Sequence, residues 1–116
     1  MINNVTLIGR LTADPAVKSL EGDVKVAHFT LAVDKTYRNR GGERDTSFIP
    51  IVAWRKTAEI VEKFLHKGSM CAVQGSIETR SYDPGDGTKR YVTEILAGEL
   101  QVLTFLDKAS EEEQGD

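Results

Sequence analysis

The sequence has few of the residues that mark secreted, metal-binding or membrane proteins. It contains one cysteine in 116 residues, so no internal disulfide can form, and a structural zinc site would need several ligands. No apolar run approaches the ~20 residues that a membrane span needs. The N-terminal stretch MINNVTLIGR lacks the basic, apolar and small-residue parts of a signal peptide. We therefore expect a cytoplasmic protein without a membrane segment, a metal or another cofactor.

Residues that commonly carry catalysis are equally scarce. His28 and His66 are the only histidines, and neither lies in a nucleophile or metal motif. The pair Gly41 and Gly42 is not a phosphate loop, because no strand-to-helix junction surrounds it. Cys71 lies in the stretch SMCAVQG, which favours a buried, small apolar residue. The sequence therefore predicts a protein that is not an enzyme.

Positive charge is not in excess overall, but it is unevenly distributed. The chain has a net charge of −3. The last ten residues, DKASEEEQGD, carry five acids and one base, so residues 1–106 have a net charge of +1. Between Lys35 and Arg44 there are four bases and one acid. A local basic patch is enough to attract phosphates, because charges farther away than about 8–10 Å are largely screened.

Alternating apolar residues dominate the rest of the chain. In VKVAHFTLAVD, four apolar residues from Ala27 to Val33 occupy every second position, which is typical of a β-strand. SFIPIVAW predicts another strand, in which Pro50 requires an edge or a bulge because it cannot donate a ladder hydrogen bond. Only KTAEIVEKFLHKG reads as a helix, with an apolar stripe that includes Phe64. In SMCAVQGSIETRSY, Gly75 indicates a bend or bulge.

This order of elements predicts an all-β fold. It matches a five-stranded OB-fold barrel with one helix between strands 3 and 4 and long β-hairpin tips. An SH3-like barrel or a small sandwich would not explain the single central helix. We expect one domain over residues 1–106, followed by a short, acidic, mobile tail over residues 107–116, because a run of like charge cannot offset the entropy of ordering.

The eight aromatic residues fall into two groups. Periodicity places Phe29 and Phe64 in the core, and Phe105 lies in an apolar run. Four others stand close to bases in the sequence: Tyr37, Phe48, Trp54 and Tyr82. Rings next to cations suit a single nucleic-acid strand, because bases stack on the rings and phosphates meet the cations. On pattern alone, however, Phe48 and Trp54 could instead fill the barrel.

At this point the chain resembles a known family, the bacterial-type single-stranded DNA-binding proteins. The resemblance covers residues 1–106 and is carried by MINNVTLIGRLTADP, VAHFTLAVDKTYRN, FIPIVAWRKTAEIVEKFLHKGS and GSIETRSYDPGDGTKRYVTEI. It implies an OB fold, a homotetramer, and sequence-tolerant binding of single-stranded DNA during replication, recombination and repair.

The resemblance also implies roles for particular residues. Stacking rings of the family fall on Tyr37, Phe48, Trp54 and Tyr82, the four residues that the charge pattern also selects. Its phosphate-contacting cations fall on Lys56, Lys67 and Arg80, and Lys35 and Arg38 match a basic tip more loosely. Arg55, which follows Trp54 directly, is a further candidate for phosphate contact. Asn3, Asn4 and Val5 correspond to the subunit contact of the family.

Three departures limit what the resemblance implies, and the first is Pro50, which is unusual in the corresponding strand of the family. Glu78 stands where many relatives have a base, which weakens local attraction of phosphate. The tail SEEEQGD is acidic but lacks the terminal Pro-Phe with which family members recruit replication and repair enzymes, so we do not expect such recruitment. The alternative function is an OB-fold interaction module of the primosome type, acting mainly through protein partners.

Overall fold

The computed structural model describes residues 1–38, 40–42 and 44–104, apart from the side chains of Tyr37, Arg38 and Arg44. Within these residues the chain forms six strands, one 3₁₀ turn and one α-helix. In chain order they are β1 (Val5–Leu11), β2 (Ala16–Leu20), the 3₁₀ turn (Glu21–Asp23), β3 (Val24–Arg38), β4 (Arg44–Trp54), α1 (Lys56–Phe64), β5 (Met70–Tyr82) and β6 (Arg90–Val102). The tail 107–116 lies outside the described residues, so its mobility and the domain boundary at residue 106 stay predictions.

Five of the strands close into a barrel. The strand order is β1-β5-β6-β4-β3, and β1 closes the circle by pairing with β3 at Arg10 and Leu11. Neighbouring strands run antiparallel except β4 and β6, which pair in parallel at Ile51 and Val52 of β4. The helix α1 comes between the third and fourth barrel strands. The predicted all-β, five-stranded OB-fold barrel with one helix is therefore confirmed.

The strand β2 was not predicted. It pairs with the first half of β3, from Val24 to His28, on the same edge that β1 uses farther along. Val17 is its only residue that is not fully exposed. Because a strand without a buried face has no apolar alternation, its sequence AVKSL carries no strand signal.

The core fills the inside of the barrel and extends to α1, which packs against the barrel. Its buried residues are Leu11, Ala27, Phe29, Leu31, Ile51, Ala53, Ala58, Val61, Leu65, Cys71, Val73, Ile95, Ala97 and Val102. From the helical segment only Ala58, Val61 and Leu65 are buried, a spacing of three and four residues that makes a single stripe. The prediction that Phe64 lies in the core is wrong, because its side chain is 40% exposed beside that stripe.

Gly75 provides the bend that curves β5 into the barrel. The register between β5 and β6 shifts between Gln74 and Gly75, as expected for a bulge. A Cβ atom at Gly75 would lie 1.9 Å from the carbonyl oxygen of Leu96. No side chain fits at this distance, so glycine allows β6 to approach closely.

Pro50 lies in a regular part of β4. It faces Thr30 of β3, and the register is continuous from Thr46 to Trp54; the irregularity in this pair of strands lies between Asp34 and Arg38. The predicted bulge at Pro50 is therefore not observed. On its other side, β4 pairs with β6 only at the two residues that follow Pro50. Pro50, which has no N–H to donate, therefore lies just outside the short pairing of β4 with β6. This agrees with the other expectation from the sequence, that Pro50 lies where the strand has an edge.

Candidate nucleic-acid interface

The two aromatic residues of β4 point away from the core. Phe48 is 65% exposed and Trp54 is 42% exposed, whereas Ile51 and Ala53 are buried. Because side chains alternate across a strand, Phe48 and Trp54 share the outer face of the barrel. The possibility that these two rings fill the barrel is thereby excluded.

The outer face continues onto β3, where an apolar residue lies beside each ring. Ala32 lies next to Phe48, and Val26 lies next to Trp54. The two rings are six positions apart along β4, which corresponds to about 20 Å of strand. The rings are therefore too far apart to stack on the same base, and each can take a different one.

Strand pairing places Tyr82 on the same side of the sheet. Val52 of β4 lies beside Leu96 of β6, and Glu94 follows on that side. Farther along the hairpin of β5 and β6, the same side carries Arg80 and then Tyr82. Tyr82 is 46% exposed, and the Cζ atom of Arg80 lies 5.9 Å from the centre of its ring, within cation–π range. We call Phe48, Trp54 and Tyr82 the aromatic face.

The structure does not show on which face Tyr37 lies. The side chains of Tyr37 and Arg38 are outside the described part of the chain. The register shift between Asp34 and Arg38 also breaks the alternation that would otherwise assign Tyr37 to a face. Lys35, in this irregular stretch, is partly buried. The roles of these three residues stay predictions.

Arg55 and Lys56 lie exposed at the end of β4, directly after Trp54. The backbone of Arg55 has a φ of 57°, and its N–H donates to the carbonyl oxygen of Lys25 at 2.8 Å. This turn ends the strand and starts α1 with Lys56 as its first residue. The two cations are therefore held next to an exposed ring, as phosphate contact would require.

Lys67 lies in the loop between α1 and β5, and its side chain is exposed. Its backbone N–H donates to Oδ1 of Asp14 at 2.8 Å. Asp14 in turn lines a groove with His28 and Pro50, which belong to the outer face of β3 and β4. Lys67 is thus near the outer face, with a carboxylate beside it.

Arg80 has a protein partner that the sequence did not indicate. Its Nε–H donates to Oε1 of Glu94 at 3.0 Å, and the Glu94 side chain is only 9% exposed. Glu94 stands directly opposite Glu78, so its contact with Arg80 runs diagonally across the ladder. Arg80 and Glu94 are 14 residues apart and meet only through the pairing of β5 with β6, so no local pattern in the sequence could have paired them.

Two aspartates order the tip between β5 and β6. Oδ1 of Asp83 accepts the N–H of Gly85 at 2.8 Å and that of Gly87 at 3.3 Å. Two hydrogen bonds from Thr88 lower the pKa of Asp86, the larger effect coming from its hydroxyl and the smaller from its backbone N–H. Side chains of the tip therefore stabilise its conformation next to Tyr82. The negative charges of the two aspartates also offset part of the positive charge of nearby bases.

The proposed subunit contact begins with a residue that is already engaged within the chain. The side-chain amide of Asn3 donates to the carbonyl oxygen of Ile77 at 2.9 Å, and its Oδ1 accepts the N–H of Ile77 at 2.8 Å. Asn4 is exposed, and Val5 is partly buried at the start of β1. Asn3 thus extends the pairing of β1 with β5 beyond the bulge at Gly75.

The described residues offer little for other chemistry. Burial raises the pKa of the Cys71 thiol to about 11, which keeps it protonated and unreactive at neutral pH, in agreement with the buried position expected for it. In the same part of the chain, no group of three or more His, Cys, Asp or Glu side chains is placed to hold a metal ion. Nor does that part contain a helix long and apolar enough to cross a membrane.

Comparison with known proteins gives consistent matches. The model of the single-strand binding protein family matches residues 2–103. The chain is 50% identical to single-stranded DNA-binding protein 2 of Listeria monocytogenes over 103 residues, which are 89% of this chain and 64% of that protein. It is 46% identical to the single-stranded DNA-binding protein of Halalkalibacterium halodurans over 115 residues, which are 99% of this chain and 67% of the relative. This chain thus spans about two thirds of the length of these relatives.

The fold also matches a solved structure. The complex of Plasmodium falciparum SSB with ssDNA superposes with a TM-score of 0.78 at 32% sequence identity. The match covers 89% of this chain and 96% of that one. The barrel, its helix and its hairpins are therefore shared over nearly the whole described part of the chain.

Proposed function

The chain belongs to the single-strand binding protein family, and we propose that it binds and protects single-stranded DNA, largely regardless of base sequence, during replication, recombination and repair. The observation that carries this proposal is the exposure of two large rings, Phe48 and Trp54, on the outer face of a strand that is followed directly by Arg55 and Lys56. Aromatic rings of this size normally lie in the core, but these two are exposed, and two cations directly follow Trp54 in the sequence.

The proposed mechanism is stacking combined with phosphate contact. Each base that stacks on an aromatic ring contributes about 1–3 kcal/mol, and every base has a flat face to offer. Cations near the rings, with Lys56 and Lys67 among them, would neutralise phosphates and release counterions. In a duplex the base faces are stacked on each other, so only an unpaired strand can use the aromatic face. Binding then melts hairpins by mass action, and no catalytic step is needed.

We also propose that the chain assembles as a homotetramer through β1. In the described sheet, β1 pairs with β3 only at Arg10 and Leu11, so the edge from Val5 to Gly9 is open opposite β5. Ile8 on this strand is 56% exposed, and Ile2 before it is 95% exposed. An open edge with exposed apolar residues favours pairing with another strand. Asn3, Asn4 and Val5 lie at the start of this edge.

We infer the cellular location of the protein from its proposed ligand, single-stranded DNA. A protein that coats single strands would act in the cytoplasm at the nucleoid, where such strands arise. The proposal does not extend to recruitment of enzymes through residues 107–116.

The deciding experiment is a binding titration with fluorescein-labelled oligothymidylate and with a duplex of the same length, each at two salt concentrations. We expect much tighter binding to the single strand and a steep loss of affinity with salt. Lys56→Ala should reduce the slope of log K against log salt by about 0.7, the value for one phosphate contact on a single strand. Lys63→Ala, two turns farther along the same helix, is the matched control and should leave the slope unchanged.

Two outcomes would contradict the proposal. Equal affinity for the duplex would mean that base faces are not used. Weak binding with almost no dependence on salt would favour the interaction module that acts through protein partners. Measurement of the mass in solution, with and without the oligonucleotide, tests the tetramer separately.

A further inference from the structure

A buried carboxylate lies beneath the aromatic face, where a DNA-binding surface would be expected to avoid negative charge. Glu94 is 8% exposed and lies in β6 on the same side of the sheet as Arg80 and Tyr82. Burial of a charged group is costly unless the group is paired and hydrogen-bonded. Glu94 has such a partner, because its Oε1 accepts the Nε–H of Arg80 at 3.0 Å.

This contact fixes the guanidinium group of Arg80. Nε is part of the rigid, planar fork, so a hydrogen bond at Nε sets the orientation of the whole plane. A guanidinium group has five N–H donors, so four can still reach other acceptors. The side chain of Arg80 remains 53% exposed, and its Cζ atom lies 5.9 Å from the ring centre of Tyr82. Glu94 therefore holds Arg80, and Arg80 lies against Tyr82.

We propose that Glu94 is a positioning residue for the binding of single-stranded DNA. It holds the Arg80 guanidinium in advance beside the Tyr82 ring, so that a cation and a stacking surface meet the strand together. A long side chain that is ordered before binding loses less rotamer freedom when it binds phosphate. This inference rests on the proposed function, and it assigns to an acidic residue a favourable effect on the binding of a polyanion.

Glu78 offers a matched control at the same place. It stands directly opposite Glu94 in the ladder, so the two side chains start about 5 Å apart. Glu78 is exposed, and its Oε1 accepts the hydroxyl of Ser76 at 3.2 Å. Glu78→Gln therefore removes one negative charge close to Arg80 without removing the acceptor that holds it.

The test compares Glu94→Leu, Glu78→Gln, Arg80→Gln and the double variant of Glu94 and Arg80 by fluorescence anisotropy with labelled oligothymidylate. Leucine suits the buried site but cannot accept the hydrogen bond, and glutamine at residue 80 can still donate to Glu94. We expect Glu94→Leu to weaken binding about three- to tenfold and Glu78→Gln to strengthen it about twofold, since the first loses positioning and both lose repulsion. In the Arg80→Gln background, Glu94→Leu should cause no further loss.

The signs of these changes decide the matter. The inference is overturned if Glu94→Leu strengthens binding as Glu78→Gln does. It is also overturned if Glu94→Leu weakens binding by the same factor in the Arg80→Gln background as in the wild type. If the wild-type protein itself does not bind oligothymidylate, the proposed function fails instead. Thermal unfolding identifies a variant that does not fold. In that case Glu94→Gln, which keeps a neutral acceptor, should show a smaller loss of affinity, and a gain would again refute the positioning role.

Discussion

Truncation of Phe48 should separate binding from stability. Phe48 is 65% exposed on the outer face, so only about a third of its ring is covered by the protein. Full burial of a phenylalanine contributes about 1.5–3 kcal/mol. Phe48→Ala should therefore lower the free energy of unfolding by only about 0.5–1 kcal/mol. If the ring takes one base, the same change should cost about 1–3 kcal/mol of binding, a five- to 150-fold increase in Kd.

Phe29 provides the control with the same chemistry. It lies on β3 but points inward, and it is 6% exposed. Phenylalanine-to-alanine changes in a core cost about 3–5 kcal/mol, which is a large part of the total stability of a small domain. Phe29→Ala should therefore be strongly destabilised, whereas Phe48→Ala should unfold nearly like the wild type. The two changes remove the same ring from opposite faces of two neighbouring strands.

The assay combines urea unfolding, followed by circular dichroism, with anisotropy titration of labelled oligothymidylate under native conditions. Phe48→Ala should lose affinity for the oligonucleotide while its urea unfolding midpoint stays close to that of the wild type. If Phe48→Ala instead binds like the wild type and unfolds as easily as Phe29→Ala, then Phe48 is a packing residue and the aromatic face has been wrongly defined.

Three further predictions concern single residues. Oligothymidylate should strongly quench the emission of Trp54, the only tryptophan, and unchanged emission at saturating DNA would exclude stacking on this ring. With a pKa of about 11, roughly one Cys71 thiol in a thousand is ionised at pH 8, so Ellman's reagent should react slowly with the native protein and quickly in denaturant; fast native reaction would contradict its burial. Gly75→Ala should destabilise the fold by about 1–3 kcal/mol or more in thermal unfolding, because its Cβ would lie 1.9 Å from the Leu96 carbonyl oxygen; Gly98→Ala, at 3.4 Å from its nearest atom, should cost much less, and equal effects would refute the packing argument.

The orientation of Phe48 and Trp54 could be predicted because one regular strand carries both residues. A period of two assigns faces reliably as long as the register is unbroken, and in β4 it is unbroken from Thr46 to Trp54. The same rule cannot place Tyr37, since the register shifts between Asp34 and Arg38. The irregular stretch coincides with the basic segment of the chain, so the predicted roles of Lys35 and Arg38 are equally beyond the reach of periodicity.

The helix shows why hydrophobicity alone misplaces a residue. Phe64 belongs to the apolar stripe of the sequence, but the barrel accepts only the narrow ridge of Ala58, Val61 and Leu65. The small side chain of Ala58 lets the helix approach the barrel closely. A prediction based on large apolar residues gives little importance to such an alanine. Phe64 is left beside the ridge, where the ammonium group of Lys63 lies 5.4 Å from its ring centre.

The aromatic face is one surface only because β4 pairs with β6, which in turn pairs with β5. Trp54 and Tyr82 lie on strands that are far apart in sequence, and they are connected through the parallel pairing of Ile51 and Val52 with β6. No local signal in the sequence specifies a parallel contact of two residues. The residues of the site could therefore be recognised one by one, whereas their common orientation, and the place of Glu94 among them, depends on the register. Leu96, which pairs with Val52, lies against Gly75. It follows that Gly75→Ala, whose Cβ would lie 1.9 Å from the Leu96 carbonyl oxygen, should impair DNA binding although it alters no residue of the aromatic face.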